Sequence, residues 1–476
     1  MATVISYQAR TRRTVHLVLL LIAFAVGLGA NLLVDLGRTE QIAPDTWWQV
    51  GGVGLIALGV YIAATIRVPY ADPLLIPIAL LLNLIGLASI KSVDIAYDLY
   101  TSWGSGFASR QIMWAMIGLV ACAVVIIFVR DHRVMRRYTW VTGAVGLVLL
   151  LLPLVPGLGS ANYGARIWIR VGSYSFQPAE IAKICFAIFF AGFLVSRRDT
   201  LALAGPRVLG ITLPRWADFG PIIMAWAGAT AVLVFQNDLG TSLLFFGLFV
   251  VMLYTATDRL SWFVIGAIMF IPPGLFYVLR LGHVQRRFEC WLDPLSSANF
   301  SACGQVNNGI FGLANGGVVG TGLGQGRQDM VPFAQSDFIY TSMAEEMGLV
   351  GMVAILLLFA VFVQRGLRAA VGISDGFGKL LAAGLSFTIG LQVFIVIGGV
   401  TRVIPLTGLT LPFMAAGGSS LVANWIIVGL IVKLSDAARR PAARTLGETA
   451  STSRARQSAA SRTEAAPGPG EVEVPA

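Results

Sequence analysis

Residues 281–348 read LGHVQRRFECWLDPLSSANFSACGQVNNGIFGLANGGVVGTGLGQGRQDMVPFAQSDFIYTSMAEEMG, and the fold of the whole chain is best inferred from this stretch. It is the longest interval between apolar segments, and it is rich in glycine and polar residues. A loop of this length in a folded protein is usually functional or disordered. Its large apolar side chains, which can anchor it by packing, are Trp291, Phe300, Phe311, Met330 and Phe333. We therefore expect an ordered cap over a cavity between helices.

The composition of the chain indicates a membrane protein. Of its 476 residues, 56% are hydrophobic and 12% are charged, whereas soluble domains carry about 25% charged residues. Apolar runs close to the roughly 20 residues that cross a bilayer recur along the sequence. The prediction is an all-α, polytopic integral membrane protein. The net charge of +10 does not indicate nucleic acid binding, because Lys and Arg fall mainly in alternate loops, as membrane topology requires.

The apolar runs predict about twelve transmembrane helices. They cover residues 15–35, 47–66, 73–91, 111–129, 138–156, 179–196, 219–236, 240–257, 261–280, 338–364, 378–400 and 410–434. The first run follows arginines, as a signal peptide would, but its apolar core is too long for one. We interpret it as an uncleaved first helix.

The basic residues predict the orientation of these helices. Arginines are concentrated in the loops 130–137, 197–215 and 365–368, and basic loops face the cytoplasm. Both termini are then predicted to be cytoplasmic, and the loop 281–337 is predicted to be extracytoplasmic.

The same pattern divides the chain into three parts. Residues 1–14 form a short cytoplasmic N-terminus, and residues 15–436 form the transmembrane domain. Residues 437–476 are rich in Ala, Arg, Ser, Glu and Pro and lack apolar periodicity. That composition predicts a disordered cytoplasmic tail.

Two common site types are not supported by the sequence. The glycines at 316–326 match neither the Gly-Lys-Ser/Thr ending of a phosphate-binding loop nor the G-x-G-x-x-G spacing of a dinucleotide site. His16, His132 and His283 are scattered, and no Cys/His spacing indicates a metal site.

Residues 164–183, GARIWIRVGSYSFQPAEIAK, carry charge on the predicted outer side. Glu180 and Lys183 are three residues apart at a helix start and share one face. They form either a local ion pair or part of a functional cavity. Arg166 and Arg170 run against the basic-inside trend. Arginine suits paired hydrogen bonds to a diphosphate, although loop carboxylates could equally be their partners.

Three further outer segments place charge beside apolar helices, where it is costly and usually functional. Asp238 lies in a short turn and either caps the next helix or contributes to a site. Asp337 begins a span, and Glu345 lies two turns further along, which favours a polar cavity over lipid exposure. Arg402 precedes a segment broken by Pro and Gly, and broken helices are tolerated where they line a cavity or pack on protein.

Together these segments resemble one family. The stretches GARIWI and QPAEIAK, DLGTS (238–242), SDFI with EEMGLVG (336–351) and RVIPLTGLTLPFMAAGGSS (402–420) are similar in kind and order to those of the RodA/FtsW/SpoVE, or SEDS, proteins. The resemblance covers roughly residues 110–435. The two additional N-terminal spans are similar to those of the longer, twelve-span RodA-like members.

The resemblance implies a function and a location. SEDS proteins are peptidoglycan glycosyltransferases of the bacterial plasma membrane that polymerise lipid II, an undecaprenyl-diphosphate-linked precursor. They work with a class B penicillin-binding protein, which crosslinks the strand. Arg166, Glu180, Lys183, Asp238, Asp337, Glu345 and Arg402 are then expected to bind substrate. No cofactor is firmly implied, and a divalent cation is left open.

The loop departs from the family pattern at the position of the essential carboxylate. The family's second Asp, in D/N-P-x-x-D-P, corresponds here to Ser297, counted from Asp293. A serine hydroxyl is not a base at neutral pH without a partner. Three hypotheses follow: Asp293 or Glu289 replaces the missing carboxylate, the chain is a non-catalytic paralogue that binds lipid II or a transpeptidase, or it is a lipid-linked precursor flippase. The catalytic candidate is Asp293.

Cys290 and Cys303 flank the altered part of this loop. The predicted compartment permits disulfides, and neither cysteine belongs to the family motif. They form either a disulfide that replaces the lost order or two free thiols, one of them packed beside Trp291. Cys122 and Cys185 fall within spans and are interpreted as small buried apolar residues.

Overall fold

The computed structural model describes residues 11–101, 106–162, 165–172, 174–202, 207–208, 211–212, 236, 238–280 and 282–441. Its α-helices, numbered here in chain order, are α1 Arg13–Thr39, α2 Pro44–Arg67, α3 Leu75–Tyr100, α4 Phe107–Phe128, α5 Val134–Arg137, α6 Thr139–Leu151, α7 Pro178–Ala202, α8 Leu239–Thr257, α9 Ser261–Arg280, α10 Gly282–Leu292, α11 Gly304–Gly316, α12 Ile339–Gly372, α13 Gly376–Val400 and α14 Gly418–Arg439. Short 3-10 helices cover Leu152–Leu154 and Gln328–Met330.

Within the described residues, nine helices are long and apolar enough to cross a membrane: α1 to α4, α7, α8 and α12 to α14. They confirm the all-α, polytopic class. Two more of the twelve predicted spans coincide with shorter apolar helices, Thr139–Leu154 and Ser261–Pro272. The predicted span 219–236 lies outside the described residues apart from Gln236, so the count of twelve stays a prediction. Residues 1–10 and the predicted tail beyond Pro441 also lie outside them.

The centre of the bundle is formed by α3 and α13. Of an 18-residue apolar stretch in each helix, 89% is buried in α3 and 78% in α13, against 28% in α1. Helix α3 packs against α1, α4, α12 and α14, and α13 packs against α7, α8, α12 and α14. A helix that is apolar on all sides is typical of such central positions, whereas α1 and α2 leave large apolar side chains exposed.

Strands occur in segments that were expected to be plain loops. A three-stranded antiparallel sheet contains β1 Gly159–Asn162, β2 Ala165–Val171 and β3 Tyr174–Phe176, in that order. In its register Ile169 pairs with Gly159 on one side and Phe176 on the other. A second pair, β4 Arg207–Val208 and β5 Ile211–Thr212, is also antiparallel.

The last helix begins at Gly418, eight residues after the predicted start of the last span at 410. The intervening segment 401–417 contains Pro405 and Pro412, which cannot donate a backbone hydrogen bond. Arg402, Gly408 and Phe413 also have positive φ angles, which a continuous helix excludes. The segment therefore stays irregular within the protein.

The glycine run after α11 docks onto a break in α12. At Gly348 the helix adopts φ 63° and ψ −173°. The N–H groups of Thr321 and Gly322 donate to the carbonyls of Glu345 and Glu346, at 2.9 and 3.0 Å. Beyond the break, the N–H groups of Leu349 and Val350 donate to the carbonyls of Gly317 and Val318, at 3.0 and 3.1 Å. The glycines thus serve backbone pairing.

We predict that Gly348→Ala destabilises the protein by about 1–3 kcal/mol, the usual cost of a strained backbone conformation. An added Cβ would lie 2.3 Å from the backbone N of Gly320, in a residue with positive φ. Thermal unfolding of the purified protein in lipid nanodiscs measures the effect.

The matched control is Gly59→Ala in α2, where an added Cβ meets nothing within 4 Å. Alanine favours a helix over glycine by about 1 kcal/mol, so this variant should unfold no earlier than the native protein. Equal unfolding temperatures for the native and Gly348→Ala proteins would contradict the docking role.

Candidate functional site

A cavity of about 550 Å³ lies where the 281–337 loop meets the bundle. Its walls come from α10, the start of α11, the end of α13 and the segment that follows α13. The lining residues are Gly282, Arg286, Arg287, Cys290, Trp291, Ala302, Cys303, Gln305, Val306, Asp337, Gly399, Arg402, Ile404 and Leu406. The loop is therefore an ordered cap over a cavity between helices.

Arg402 ties the cap to the segment after α13. Its Nε and Nη2 donate to the carbonyl of Trp291 at 3.1 and 2.9 Å, and Nη2 also donates to the carbonyl of Leu292 at 3.1 Å. In return, Nε1 of Trp291 donates to the carbonyl of Arg402 at 3.0 Å. A cation at the end of α10 satisfies free carbonyls and complements the helix dipole. Arg402 therefore holds the cavity wall as well as lining it.

Arg287 forms a second link between the cap and the segment after α13. This residue was not among the predicted site residues. Its Nη1 donates to the carbonyls of Leu406 and Thr407, at 3.4 and 3.0 Å. A Cβ added to Gly408 would lie 3.6 Å from Arg287 Nη2 and 3.7 Å from Asp337 Oδ2. These are ordinary contact distances, and Gly408 is favoured instead by its φ of 81°. The sequence did contain a signal for Arg287. The pair Arg286–Arg287 lies on the predicted outer side, where arginines run against the basic-inside trend.

Asp337 is the carboxylate that faces this cavity. It is partly exposed and sits two residues before α12. Burial raises the pKa of Asp337, the Arg287 guanidinium lowers it and the Asp238 carboxylate raises it, with a net pKa of about 6. The side chain is therefore a base whose protonation changes just below neutral pH.

Asp238 caps helix α8. Its Oδ1 accepts from the backbone N of Thr241 at 3.0 Å, and its Oδ2 accepts from the Thr241 hydroxyl at 2.5 Å. Burial raises the pKa of Asp238, against the hydrogen bonds from Thr241 and the charge of Arg287. Of the two interpretations left open by the sequence, the structure shows the cap. The same side chain is an electrostatic neighbour of Asp337.

Glu180 and Lys183 form a separate network inside the bundle. Both are buried, and Nζ of Lys183 lies 2.5 Å from Oε2 of Glu180. The ammonium also donates to Oε1 of Gln392 and Oδ1 of Asn424, each at 3.0 Å. These bonds join α7, α13 and α14. Neither Glu180 nor Lys183 lines the cavity, and of the two interpretations left open by the sequence the structure shows the local ion pair.

Glu345 and Glu346 also lie away from the cavity lining. Oε1 of Glu345 accepts from Nδ2 of Asn315 at 2.8 Å and from the backbone N of Arg327 at 3.1 Å. Oε1 of Glu346 accepts from the Ser92 hydroxyl at 2.6 Å and faces Nη2 of Arg38 at 3.4 Å. These carboxylates are buried because they fasten the glycine run, α1 and α3 to α12. The partners of Glu345 are therefore protein groups, whereas Glu346 also lines a second cavity of about 250 Å³.

The remaining charged candidates are exposed. Arg166 and Arg170 lie on the solvent-accessible side of β2 and do not line the cavity. Asp293, Ser297 and Glu289 are exposed at the end of α10 and in the turn after it, and none of them lines the cavity either. The structure thus places the catalytic candidate Asp293 outside the residues that line the cavity.

Cys290 and Cys303 are joined in a disulfide, with their Cα atoms 5.4 Å apart, and both line the cavity. The bond connects α10 to the start of α11 across the altered turn. Cys122 is a buried free thiol in α4. In the described part of the chain, no cluster of His, Cys, Asp and Glu is arranged to hold a metal ion.

We predict that the non-reduced protein yields a linked peptide containing Cys290 and Cys303 in mass spectrometry. Closing a loop of this size is worth roughly 3 kcal/mol in the chain-entropy model, so Cys303→Ser should lower the unfolding temperature. Cys122→Ser measures the cost of losing a thiol that is not bonded. Full alkylation of Cys290 and Cys303 without reductant would contradict the bridge.

A bundle of apolar helices, with a polar cavity beneath a folded loop at one end, defines a polytopic membrane protein with a site close to one membrane surface. The family model described as cell cycle protein, FtsW/RodA/SpoVE, matches residues 72–440. The chain belongs to this family. Helices α1 and α2 precede the matched region.

Known proteins are similar over most of the chain. Peptidoglycan glycosyltransferase RodA of Mycobacterium bovis is 43% identical over 436 residues, which are 90% of this chain and 92% of that protein. Stage V sporulation protein E of Bacillus subtilis is 36% identical over 371 residues, or 76% of this chain and 96% of that protein. A solved chain from a peptidoglycan synthase complex that coordinates polymerization and crosslinking has a TM-score of 0.56 at 22% identity, covering 83% of this chain and 98% of its own. That likeness shows the fold.

Proposed function

We propose that the chain is a peptidoglycan glycosyltransferase that polymerises lipid II into glycan strands for cell-wall synthesis. The observation that carries this proposal is the 43% identity over 90% of the chain to a protein of that named activity. The cavity supports it, because it combines arginines with a carboxylate beside apolar helices. Lipid II has the matching parts: a lipid tail, a diphosphate and sugar hydroxyls.

Arg286 is the candidate contact for the diphosphate. It lines the cavity and is exposed, whereas Arg287 and Arg402 already donate to backbone carbonyls. A guanidinium can make two parallel hydrogen bonds to phosphate oxygens. It would also stabilise the negative charge that develops as the diphosphate leaves.

The proposed partner is a class B penicillin-binding protein, and the proposed location is the bacterial plasma membrane with both termini in the cytoplasm. The partner is supported by the similar fold of the chain from the peptidoglycan synthase complex. The orientation is supported by the basic loops, including Arg133 and Arg136 between α4 and α6. The capped cavity would then open outside the cytoplasm.

A non-catalytic role is the second candidate. It is favoured by Ser297 at the family's carboxylate position and by the exposure of Asp293 away from the cavity. Such a paralogue would bind lipid II or the transpeptidase without forming polymer. A flippase for the same precursor would move it between leaflets, and no contact in the cavity favours this third hypothesis over the other two.

We predict that the purified protein, reconstituted in liposomes with its transpeptidase, converts lipid II into polymer that gels resolve. Liposomes without the protein, and liposomes with the transpeptidase alone, are the controls. Bound lipid II without polymer would instead indicate the non-catalytic paralogue. Lipid II that becomes accessible in the opposite leaflet, again without polymer, would indicate a flippase.

We also predict that a cysteine placed at Ser297 reacts with a membrane-impermeant maleimide added to intact cells. Ser297 is exposed at the capped end. The matched control is Arg133→Cys, since the Arg133 side chain is 62% exposed in a loop predicted to be cytoplasmic. Arg133→Cys should react only after permeabilisation. The opposite pattern would overturn the orientation.

A further inference from the structure

The cavity contains a carboxylate of its own, independent of the altered loop. Among the described residues that line it, Asp337 is the only acidic one. The loop acids Asp293 and Glu289 are exposed outside the lining, as is Ser297. A base for glycosyl transfer has to reach the substrate inside the cavity. Position therefore favours Asp337 over either loop acid.

We propose that Asp337 is the catalytic base of this chain, accepting the proton of the attacking sugar hydroxyl in place of the loop aspartate that the chain lacks. This role rests on the proposed glycosyltransferase function. In the step, the hydroxyl oxygen forms a bond to the anomeric carbon of the donor sugar. The bond from that carbon to the diphosphate oxygen breaks, and its electron pair leaves with the diphosphate. The hydroxyl proton passes to an Asp337 carboxylate oxygen.

The backbone around Asp337 is fixed on both sides. The N–H groups of Ser336 and Phe338 both donate to the carbonyl of Phe333, at 3.0 and 3.3 Å, and the N–H of Ile339 donates to the carbonyl of Ser336 at 3.4 Å. The side chain of Phe338 is 1% exposed and anchors the turn in the core. A catalytic group on such a rigid support holds its geometry better than one in an exposed turn.

The charges around Asp337 suit a base at neutral pH. Burial and the Asp238 carboxylate raise its pKa to about 6, against the Arg287 guanidinium. At pH 7 the group is mostly ionised and is still a stronger base than an ordinary aspartate, which is the favourable range for proton acceptance. Arg286 and Arg402 are the other charged groups in the lining.

The neighbours of Asp337 are themselves held in place. Arg287 is fixed by the carbonyls of Leu406 and Thr407, and Asp238 is fixed by Thr241. The electrostatic environment of the base is thus part of the folded structure.

The first test compares variants in the lipid II polymerisation assay. Asp337→Asn, which keeps the size of the side chain but removes the base, should lower the rate by about 100-fold or more. Its binding of fluorescent lipid II and its unfolding temperature should stay close to native. Asp98→Asn, an exposed aspartate at the end of α3, is the matched control and should polymerise at the native rate.

Two rival variants, Asp293→Asn and Glu289→Gln, separate this role from the loop-acid hypothesis. A native rate for Asp337→Asn, with loss of activity in either rival, would overturn the role of Asp337 and leave the glycosyltransferase function standing. A native protein that forms no polymer would overturn the glycosyltransferase function itself, and the role of Asp337 with it.

The second test is the pH dependence of polymerisation, which a merely structural aspartate would not set. The native rate should fall as pH drops through about 6, because protonation removes the base. Arg287→Gln removes the cation that lowers the pKa of Asp337. The pH at which the rate falls should therefore rise by about one unit or more. Asp238→Asn retains a helix-capping side chain but removes the like charge beside Asp337. The pH at which the rate falls should therefore decrease. If the rate falls at the same pH in the native protein and in both variants, the proposal is overturned.

Discussion

The backbone of α12 imposes the constraint on which the capped end of the molecule depends. In an apolar surrounding, each unpaired N–H or carbonyl group costs several kcal/mol, so a helix that breaks at Gly348 needs new partners there. Residues 317–322 supply them, accepting from one side of the break and donating to the other. This pairing fixes the end of α11, and through α11 it fixes the position of the whole cap. The position of the cavity therefore depends on where α12 is interrupted.

Two arginines fasten the cap a second time, in addition to the apolar packing of Val331 and Ala334 in the core. Arg287 and Arg402 donate to carbonyls on opposite sides of the cavity wall, Arg287 from α10 to the segment after α13 and Arg402 in the reverse direction. Hydrogen bonds from charged donors are worth about 1.5–3 kcal/mol each, more than those between neutral groups. Together with the disulfide between Cys290 and Cys303, these bonds add order to the cap beyond its apolar packing.

Much of the architecture could be predicted because membrane helices leave a strong composition signal. The apolar runs located the nine long helices found in the described residues, and the glycine-rich interval indicated an ordered cap. The strands in 159–176 were missed because this segment was interpreted by its charges, although Ile167, Ile169 and Val171 alternate with Arg166, Trp168 and Arg170 in the period of two that is typical of a strand. The helix start at Gly418 was missed because hydrophobicity continues through 410–417, where Pro412 and backbone angles interrupt the helix.

The site was less predictable. A charged residue in an apolar segment indicates an energetic cost, but it does not show where the side chain lies in the fold. Glu180, Lys183 and Glu345 were correctly singled out as costly, yet their partners turn out to be other protein groups: Gln392 and Asn424 for Lys183, and Asn315 for Glu345. A sequence does not show which side chain will meet such a partner across the fold. Arg287 was overlooked for the same reason, since its partners are the carbonyls of Leu406 and Thr407, more than a hundred residues away.

The charge balance of the cavity connects its structural and chemical roles. Among the described residues, three arginines and one aspartate line it, and a hydrogen bond to a carbonyl does not neutralise a guanidinium. Arg287 and Arg402 therefore remain positive while they hold the walls, and their field favours an anionic ligand. The charge of Arg287 also limits how far burial raises the pKa of Asp337, so the carboxylate stays ionised near neutral pH. The bonds that build the cap thus also set the conditions under which a carboxylate inside it can act as a base.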